Sequence, residues 1–166
     1  IDPPGGDMWD SPATAILNRN KLIVSIDLKS QEGLERAHAL CAEADILVEN
    51  FRPDKLKNLG IDFVQMRIER PELITLSLPG FASNDPVRRN WRAFESVVAA
   101  TSGVFTDMGL NRVLMGVNPS FSPLPLASAY SAQIGASSVV LALQSRQLTG
   151  VGDQIEVPLA AAVMEG

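Results

Sequence analysis

Residues 45–53 carry the strongest structural signal in this chain: Asp45-Ile46-Leu47-Val48-Glu49, followed by Asn50-Phe51-Arg52-Pro53. The first five residues form a short, mostly apolar run with β-branched side chains, which predicts a buried strand. The next four predict a loop at the carboxyl end of that strand. Pro53 suits the first turn of a following helix, and Gly60 would end that helix.

The same alternation of strands and helices continues on both sides of this block. Upstream, residues 21–28 predict a strand because Ile and Val are enriched there. Ser30 fits the N-cap of a helix that runs to about Ala44. Downstream, residues 63–69 predict a short helix and residues 73–78 a third strand. Alternating strands and helices imply right-handed parallel crossovers, so we predict an α/β fold with a Rossmann-like parallel sheet and flanking helices.

The second half of the chain predicts two helices and one more strand. The first helix covers residues 94–106, and a long irregular segment rich in Gly, Asn, Ser and Pro follows it. The second helix covers residues 128–147, and its small side chains favour close backbone packing at the centre of the fold. A last short strand is predicted at residues 153–157.

Composition excludes several classes of protein. The 166 residues are 46% hydrophobic and 20% charged, as expected for one globular domain with a sizeable core. The net charge of -5 argues against a nucleic-acid binder. Apolar runs such as residues 139–143 are far shorter than the roughly 18 residues of a membrane span. Cys41 is the only cysteine, which excludes an internal disulfide and fits a reducing, cytoplasmic compartment.

The sequence offers no metal-ligand cluster, so no metal site is predicted. His38 is the only histidine and falls in mid-helix, which makes a Ser-His-Asp triad untenable. Cys41 lies on the apolar stripe of that helix and is predicted to be a buried small hydrophobe. The segments Gly5-Gly6 and Gly150-Val151-Gly152 lack the phosphate-loop pattern and are predicted to be turns.

Parallel sheets bind ligands beyond the carboxyl ends of their strands. Lys29, Asn50 and Gly80 each follow a predicted strand directly. The cations near these strand ends have two interpretations, which the residues alone leave open. They form either a rim for the phosphates of a nucleotide-like ligand or an ordinary solvated face; they are Lys29, Arg52, Lys55 and Lys57.

Several short blocks, in this order and spacing, resemble the family III coenzyme A transferases, the group that includes formyl-CoA and carnitine-CoA transferases. The most specific block is Glu49-Asn50-Phe51-Arg52-Pro53 with Leu59-Gly60. The others are Pro3-Pro4-Gly5-Gly6-Asp7, Asn18-Arg19-Asn20-Lys21, Asp27-Leu28-Lys29, Ser77-Leu78-Pro79-Gly80-Phe81, Arg92-Ala93-Phe94-Glu95 and Arg146-Gln147 with Thr149-Gly150 and Gly152. The resemblance spans essentially the whole chain. It implies that residues 1–166 are an internal segment of one large domain, without the family's N-terminal strand and C-terminal part.

The resemblance also implies a set of contacts with CoA, which would be bound as a substrate. Carried over position by position, the contacts are Ile26, Lys29, Asn50, Phe51, Asn58, Leu59 and Arg92. Phe51 would pack against the apolar parts of CoA, and Lys29 and Arg92 would supply positive charge near its phosphates. Asn58 stands where formyl-CoA transferase has a basic residue, so one phosphate contact is weakened.

The chemistry departs from the family pattern at one position. Family members use an aspartate to attack the acyl-CoA carbonyl, which gives a mixed anhydride and then an aspartyl-CoA thioester. Counting back from Arg146 without gaps places Ser128 at that position, and no Asp or Glu lies between Asp107 and Asp153. Ser128 is therefore either a replaced nucleophile or an N-cap. Glu95 matches an active-site acid of the family and would act as acid/base, as a substitute nucleophile, or as a helix first-turn carboxylate.

The sequence therefore predicts a CoA-transferase that moves CoA between an acyl-CoA thioester and a carboxylic acid. The alternatives are a non-catalytic CoA-binding or scaffold half of a tandem transferase/lyase, for which the dimethylsulfoniopropionate lyases of the family are a candidate, or an acyl-CoA racemase or lyase of the same fold. Racemases of this fold place a histidine where this chain has Phe94, which disfavours racemisation. The resemblance implies an interlocked homodimer or a second tandem half as partner, and neither a nucleic acid nor a membrane.

Overall fold

The structure is a computed structural model that describes residues 16–107, 116 and 118–165. The chain divides into two compact units, the first ending at Ala42 and the second beginning at Glu43.

The first unit contains most of one helix, α1 (Gln31–Glu43). Ser30 is the predicted N-cap, and its Oγ accepts a hydrogen bond from the Gly33 N–H at 3.1 Å. Gly33 fits tightly here, because a Cβ at this position would lie 2.1 Å from the Asp27 carbonyl oxygen. His38, the lone histidine, is exposed, and Cys41 is half-buried rather than buried as predicted.

The predicted strand at residues 21–28 is wrong. Residues 21–27 have no regular secondary structure, and Leu22 is 98% exposed. The β-prone side chains are present, but a strand needs a neighbour for its backbone groups, and the described part of this unit contains no other strand.

The second unit is built on a three-stranded parallel sheet in the order β1-β2-β3. The strands are β1 (Ile46–Glu49), β2 (Ile74–Ser77) and β3 (Gln154–Glu156). All three predicted strands of this unit are confirmed; β1 is one residue shorter than predicted at its start, and β2 and β3 are one residue shorter at each end. The register aligns Glu49 with Ser77 and Ser77 with Glu156, so the three strands end at one level.

Two short helices connect β1 to β2: α2 (Lys55–Asn58) and α3 (Phe63–Glu69). Gly60 follows α2 with φ 94°, as the predicted stop requires. Asp62 caps α3, because its carboxylate accepts the Val64 and Gln65 N–H groups at 3.0 and 3.4 Å. The prediction of α3 is correct to the residue.

The second half contains α4 (Glu95–Thr101), α5 (Val104–Asp107), α6 (Leu126–Thr149) and α7 (Leu159–Glu165). The helix predicted at residues 94–106 is thus two helices, divided at Gly103, which has φ 80°. The sequence did not predict α7. Helix α6 begins two residues earlier and ends two residues later than predicted, and Gly150 closes it at φ 74°.

Small side chains allow α6 to pack directly on the sheet. A Cβ on Gly135 would lie 3.0 Å from Leu76 Cδ2, so the close backbone approach predicted for this helix is confirmed. Leu76, Val157 and Ala162 form one buried cluster, and Phe81, Val98 and Ala127 form another. The second cluster packs the chain that follows β2 against the first turns of α4 and α6.

By length and composition alone, α6 could cross a membrane, with a mean hydropathy of 1.4 over its most apolar window. The core helix of a soluble protein passes the same test. In this chain Ala127, Ser131, Gly135 and Ala142 are buried within the protein.

Candidate functional site

Three polar side chains mark the carboxyl edge of the sheet: Glu49 on β1, Ser77 on β2 and Glu156 on β3. They are aligned neighbours across the three strands, and all three line a cavity of about 190 Å³. The rest of its wall combines apolar side chains, among them Phe51 and Phe63, with polar ones such as Arg52 and Ser83. The cavity opens where the topology of a parallel sheet places a ligand.

Glu49 has an unusual environment for a carboxylate. Burial raises the pKa of Glu49, and repulsion from Glu156 adds to the effect. Hydrogen bonds from Ser77 and from the Phe51 N–H oppose it by favouring the charged form; the latter joins Phe51 N to Glu49 Oε2 at 2.6 Å. The carboxylate therefore stabilises the turn at residues 50–51 but carries a desolvation cost.

This environment predicts that Glu49→Gln changes the stability of the protein by an amount that depends on pH. The folded state binds the Glu49 proton more tightly than the unfolded chain, so stability falls as pH rises from the ordinary pKa of 4.5 through the raised value. The amide of Gln still offers an oxygen to the Phe51 N–H and removes the charge. We expect the variant to be more stable than the parent at neutral pH, and equally stable at about pH 4.

Urea unfolding at both pH values measures this difference in stability. Asp62→Asn is the control, because it should change the stability at neutral pH in the opposite direction. The hydrogen bond from Lys57 holds the pKa of Asp62 below its usual range, so that carboxylate stabilises the fold at neutral pH and loses the effect in acid. If Glu49→Gln loses stability relative to the parent at neutral pH but not in acid, the raised pKa of Glu49 is wrong.

Two loops leave the strand ends and bond to each other. The first loop comprises residues 50–54 and follows β1; the second loop comprises residues 80–92 and follows β2. Arg52 Nη1 donates to the Asn90 carbonyl oxygen at 2.8 Å, and Arg89 Nη2 donates to Asp54 Oδ2 at 2.5 Å. The Arg52 guanidinium is thus engaged within the protein, and Lys57 pairs with Asp62 at 2.9 Å. Two of the four cations predicted to surround a phosphate, Arg52 and Lys57, therefore make contacts within the protein instead.

The residues expected to contact CoA are only partly brought together. Phe51 is half-buried and lines the cavity. Asn50 on the first loop, Asn58 at the end of α2 and Leu59 directly after it do not line the cavity. Arg92 is exposed at the end of the second loop. Ile26 and Lys29 belong to the first unit, where Lys29 is exposed and its N–H donates to Asp27 Oδ1 at 2.9 Å.

Gly80 fixes the path of the second loop. A Cβ on Gly80 would lie 1.7 Å from Ala93 Cβ, so the chain at Ala93 passes directly over the backbone of Gly80. The Pro79 and Gly80 carbonyl oxygens accept the Leu159 and Ala160 N–H groups at 2.8 and 3.0 Å, so this backbone is also bonded to the start of α7. Glu95 lies two residues after Ala93 and is the first residue of α4, so the position of Ala93 determines where that helix begins.

Glu95 and Ser128, the two predicted catalytic residues, are in contact. The Glu95 carboxylate accepts the Ala127 N–H at 2.7 Å, the Ser128 N–H at 3.1 Å and the Ser128 hydroxyl at 2.5 Å. Glu95 therefore caps the N-terminus of α6 from another helix. The N-cap prediction for Ser128 is wrong, because Pro125 occupies that position and Ser128 lies inside the first turn.

The sequence did not identify Glu49, Ser77 and Glu156 as a cluster. Each is the last residue of its strand, and parallel strands end at one edge. That rule could have found them, but only with the strand order and register, which a single sequence does not supply.

The comparisons with known proteins agree with this architecture. The model of CoA-transferase family III matches residues 1–166, the whole chain. This chain belongs to CoA-transferase family III. The blocks at residues 49–53, 77–81 and 92–95, on which the resemblance was based, lie at the ends of β1 and β2 and at the start of α4.

Two family III relatives of known name match over most of the chain. It is 64% identical over 166 residues to the CoA-transferase/lyase DddD of Marinomonas sp., which is all of this chain and 20% of that protein. It is 32% identical over 150 residues to the succinyl-CoA–L-malate CoA-transferase alpha subunit of Chloroflexus aurantiacus, 87% of this chain and 33% of that one. The chain therefore spans a fifth to a third of the length of these relatives.

Solved structures share the fold. A CAIB/BAIF family protein from Brucella suis superposes with a TM-score of 0.79 at 25% identity, covering 89% of this chain and 38% of that one. A hypothetical protein from Mycobacterium tuberculosis superposes with a TM-score of 0.77 at 28% identity, covering 89% and 41%. The family III assignment thus rests on both sequence and fold.

Proposed function

We propose that this chain is the CoA-binding, non-nucleophilic part of a longer family III protein that moves CoA between an acyl-CoA thioester and a carboxylic acid. The observation that carries the proposal is the contact between Glu95 and Ser128 at the N-terminus of α6. The resemblance to the family implies an aspartate nucleophile at the position that Ser128 occupies. A serine there changes what this part of the protein can do while leaving the surrounding fold in place.

The strand-end edge supports the CoA-binding part of the proposal. A cavity lined by Phe51 and Phe63 offers apolar surface, and Ser77 and Ser83 offer hydroxyl groups. Lys55 and Arg92 are exposed near the two loops and can supply positive charge to phosphates. We take the predicted contacts at Asn50, Phe51, Asn58, Leu59 and Arg92 as the CoA-contacting residues of the second unit. The contacts expected from the resemblance at Ile26 and Lys29, in the first unit, stay predictions.

The Glu95–Ser128 contact supports the absence of a nucleophile in this part. A carboxylate attacks the thioester carbonyl, releases CoA thiolate and becomes an anhydride, which the thiolate can reopen. A serine ester lacks that reactivity. In this chain the Ser128 hydroxyl instead donates a hydrogen bond to the Glu95 carboxylate. The chain between Asp107 and Asp153 contains no other acid that could replace the aspartate.

The proposal therefore places the nucleophilic aspartate in a second tandem half or in a partner subunit of an interlocked dimer. The name of the Marinomonas relative, a CoA-transferase/lyase, and the fifth of its length that this chain covers support the tandem arrangement. We propose a cytoplasmic protein with acyl-CoA and carboxylic acid as substrates and without a metal. The Rossmann-like sheet predicted from the sequence would extend beyond these three strands in the longer protein.

Covalent trapping tests this proposal. The full-length protein is incubated with succinyl-CoA or acetyl-CoA, treated with hydroxylamine or borohydride, and mapped by mass spectrometry. We expect modification of an aspartate outside residues 1–166 and none at Glu95 or Ser128. Ser128→Ala should leave the yield of the adduct unchanged within about twofold, because the hydroxyl takes no part in the covalent step.

Two results would count against the proposal. Modification at Glu95 would make that residue a substitute nucleophile and this chain an active half. Measurable CoA binding without any adduct in the whole protein would favour a binding module that performs no transfer.

A further inference from the structure

Each strand-end loop is held at its start by a carboxylate on the sheet. Glu49 accepts the N–H of Phe51 in the first loop at 2.6 Å, and Glu156 accepts the N–H of Ser83 in the second loop at 2.8 Å. Both are hydrogen bonds to a charged acceptor, which are stronger than bonds between neutral groups. The Glu156 contact spans 73 residues of sequence, so it depends on the tertiary fold.

The far ends of the loops are joined to each other. Arg52 of the first loop donates to the Asn90 carbonyl oxygen, and Arg89 of the second loop pairs with Asp54. Asp54 has φ 63°, a left-handed conformation that a non-glycine residue adopts at a cost. The bond from Arg89 stabilises Asp54 in this unfavourable turn.

These four contacts form a closed circuit. It runs from Glu49 through the first loop to the second loop, and from Ser83 to Glu156. The sheet completes it, because Glu49, Ser77 and Glu156 are aligned on neighbouring strands. The cavity of about 190 Å³ lies inside this circuit, and Phe51, Arg52, Asp54 and Ser83 line it along with both carboxylates.

We propose that Glu49 and Glu156 are positioning residues that fasten the two loops into one clamp at the CoA-binding edge. The inference rests on the proposed function, which supplies CoA as the ligand of the clamp. Its consequence is that the loops open together: loss of the Glu156 contact on β3 loosens the first loop as well, although Glu156 does not bond to it. Glu156 acts through Ser83 and does not itself meet the reacting atoms.

Hydrogen exchange on the full-length protein tests the clamp, with peptides that cover residues 50–54 and 80–92. We expect Glu156→Ala to accelerate exchange in both loops by about tenfold, the ratio that loss of one hydrogen bond to a charged group gives. Glu156→Gln keeps an oxygen for the Ser83 N–H and should stay within about threefold of the parent.

The matched control is Asp153→Ala at the other end of β3. Asp153 Oδ1 accepts the Gln154 N–H at 2.8 Å, which is the same kind of bond at the same distance but away from both loops. This variant should leave both loop peptides unchanged. A second variant, Arg89→Ala, removes the contact between the loops and should also accelerate exchange in both of them.

Acceleration confined to residues 80–92 in Glu156→Ala would overturn the clamp, and so would equal acceleration in Asp153→Ala. The same exchange experiment with CoA added separates the two proposals. If CoA fails to slow exchange in either loop of the parent protein, CoA binding by this part of the chain is wrong. The comparison of variants without CoA still decides whether the clamp exists.

Discussion

Gly80→Ala is expected to destabilise the second unit by about 3 kcal/mol, the upper end of the usual cost of overpacking. The added methyl group would lie 1.7 Å from Ala93 Cβ, and neither side can easily yield. The Gly80 backbone is held by the bonds from Leu159 and Ala160, and Val98 Cγ2 lies 3.6 Å away on the same side. A shift of Ala93 would also move Glu95 away from the first turn of α6.

The control for this prediction is Gly150→Ala. Gly150 has φ 74° and nothing within 4 Å of a built Cβ, so its cost is conformational alone, about 1 kcal/mol. Urea unfolding followed by tryptophan fluorescence suits the comparison, because Trp91 packs on Phe81 with ring centroids 5.8 Å apart, next to Gly80. Equal midpoints for the two variants would mean that the second loop relaxes around the methyl group.

Glu95→Ala is expected to destabilise the protein by about 2 kcal/mol, as loss of a helix cap with hydrogen bonds to a charged acceptor does. The change removes the acceptor of three hydrogen bonds at once. Ala127 is fully buried, so its N–H would remain without water and without a partner. The effect is larger than that of an ordinary N-cap because the carboxylate also connects α4 to α6.

Two further variants separate the contributions of Glu95. Glu95→Gln keeps one oxygen acceptor and should lose about half as much stability, whereas Ser128→Ala removes only the hydroxyl donor and should cost about 0.5–1 kcal/mol. The measurement is the shift of the urea midpoint at constant m-value. If Ser128→Ala costs as much as Glu95→Ala, the hydroxyl and not the backbone cap is the main contribution.

The sequence predicted the second unit well because local patterns and tertiary packing agree there. The Asp45–Glu49 block, the Asp62-capped helix α3 and the last strand each combine the right side-chain period with the right boundary residues. Residues 21–28 show the opposite case. Their side chains favour a strand, but β-propensity describes how a residue fits against neighbours, and Leu22 has almost none in this chain.

The sequence named Glu95 and Ser128 as candidate site residues, but it predicted neither their mutual contact nor the cluster of Glu49, Ser77 and Glu156. Glu95 and Ser128 both came from the family pattern, yet their mutual hydrogen bond depends on how α4 meets α6, which no spacing along the chain encodes. Glu49 and Glu156 are 107 residues apart in the sequence. Their carboxylates come to the same edge of the sheet only because β2 is aligned with both β1 and β3. Ser128 was expected to cap its own helix, because Ser is a common N-cap residue; Pro125 begins the helix earlier.

The strand order has a consequence for synthesis on the ribosome. β2 is the central strand, but its partner β3 comes last, and the Ser83–Glu156 contact joins residues 73 positions apart. At roughly 5–20 residues per second, a nascent chain waits about 4–15 s after the second loop emerges before β3 is made. During that interval one edge of Ile74–Ser77 is open to pairing with a neighbouring nascent chain. Translation speed between residues 83 and 156 is therefore a variable that should change the yield of soluble protein without changing a single amino acid.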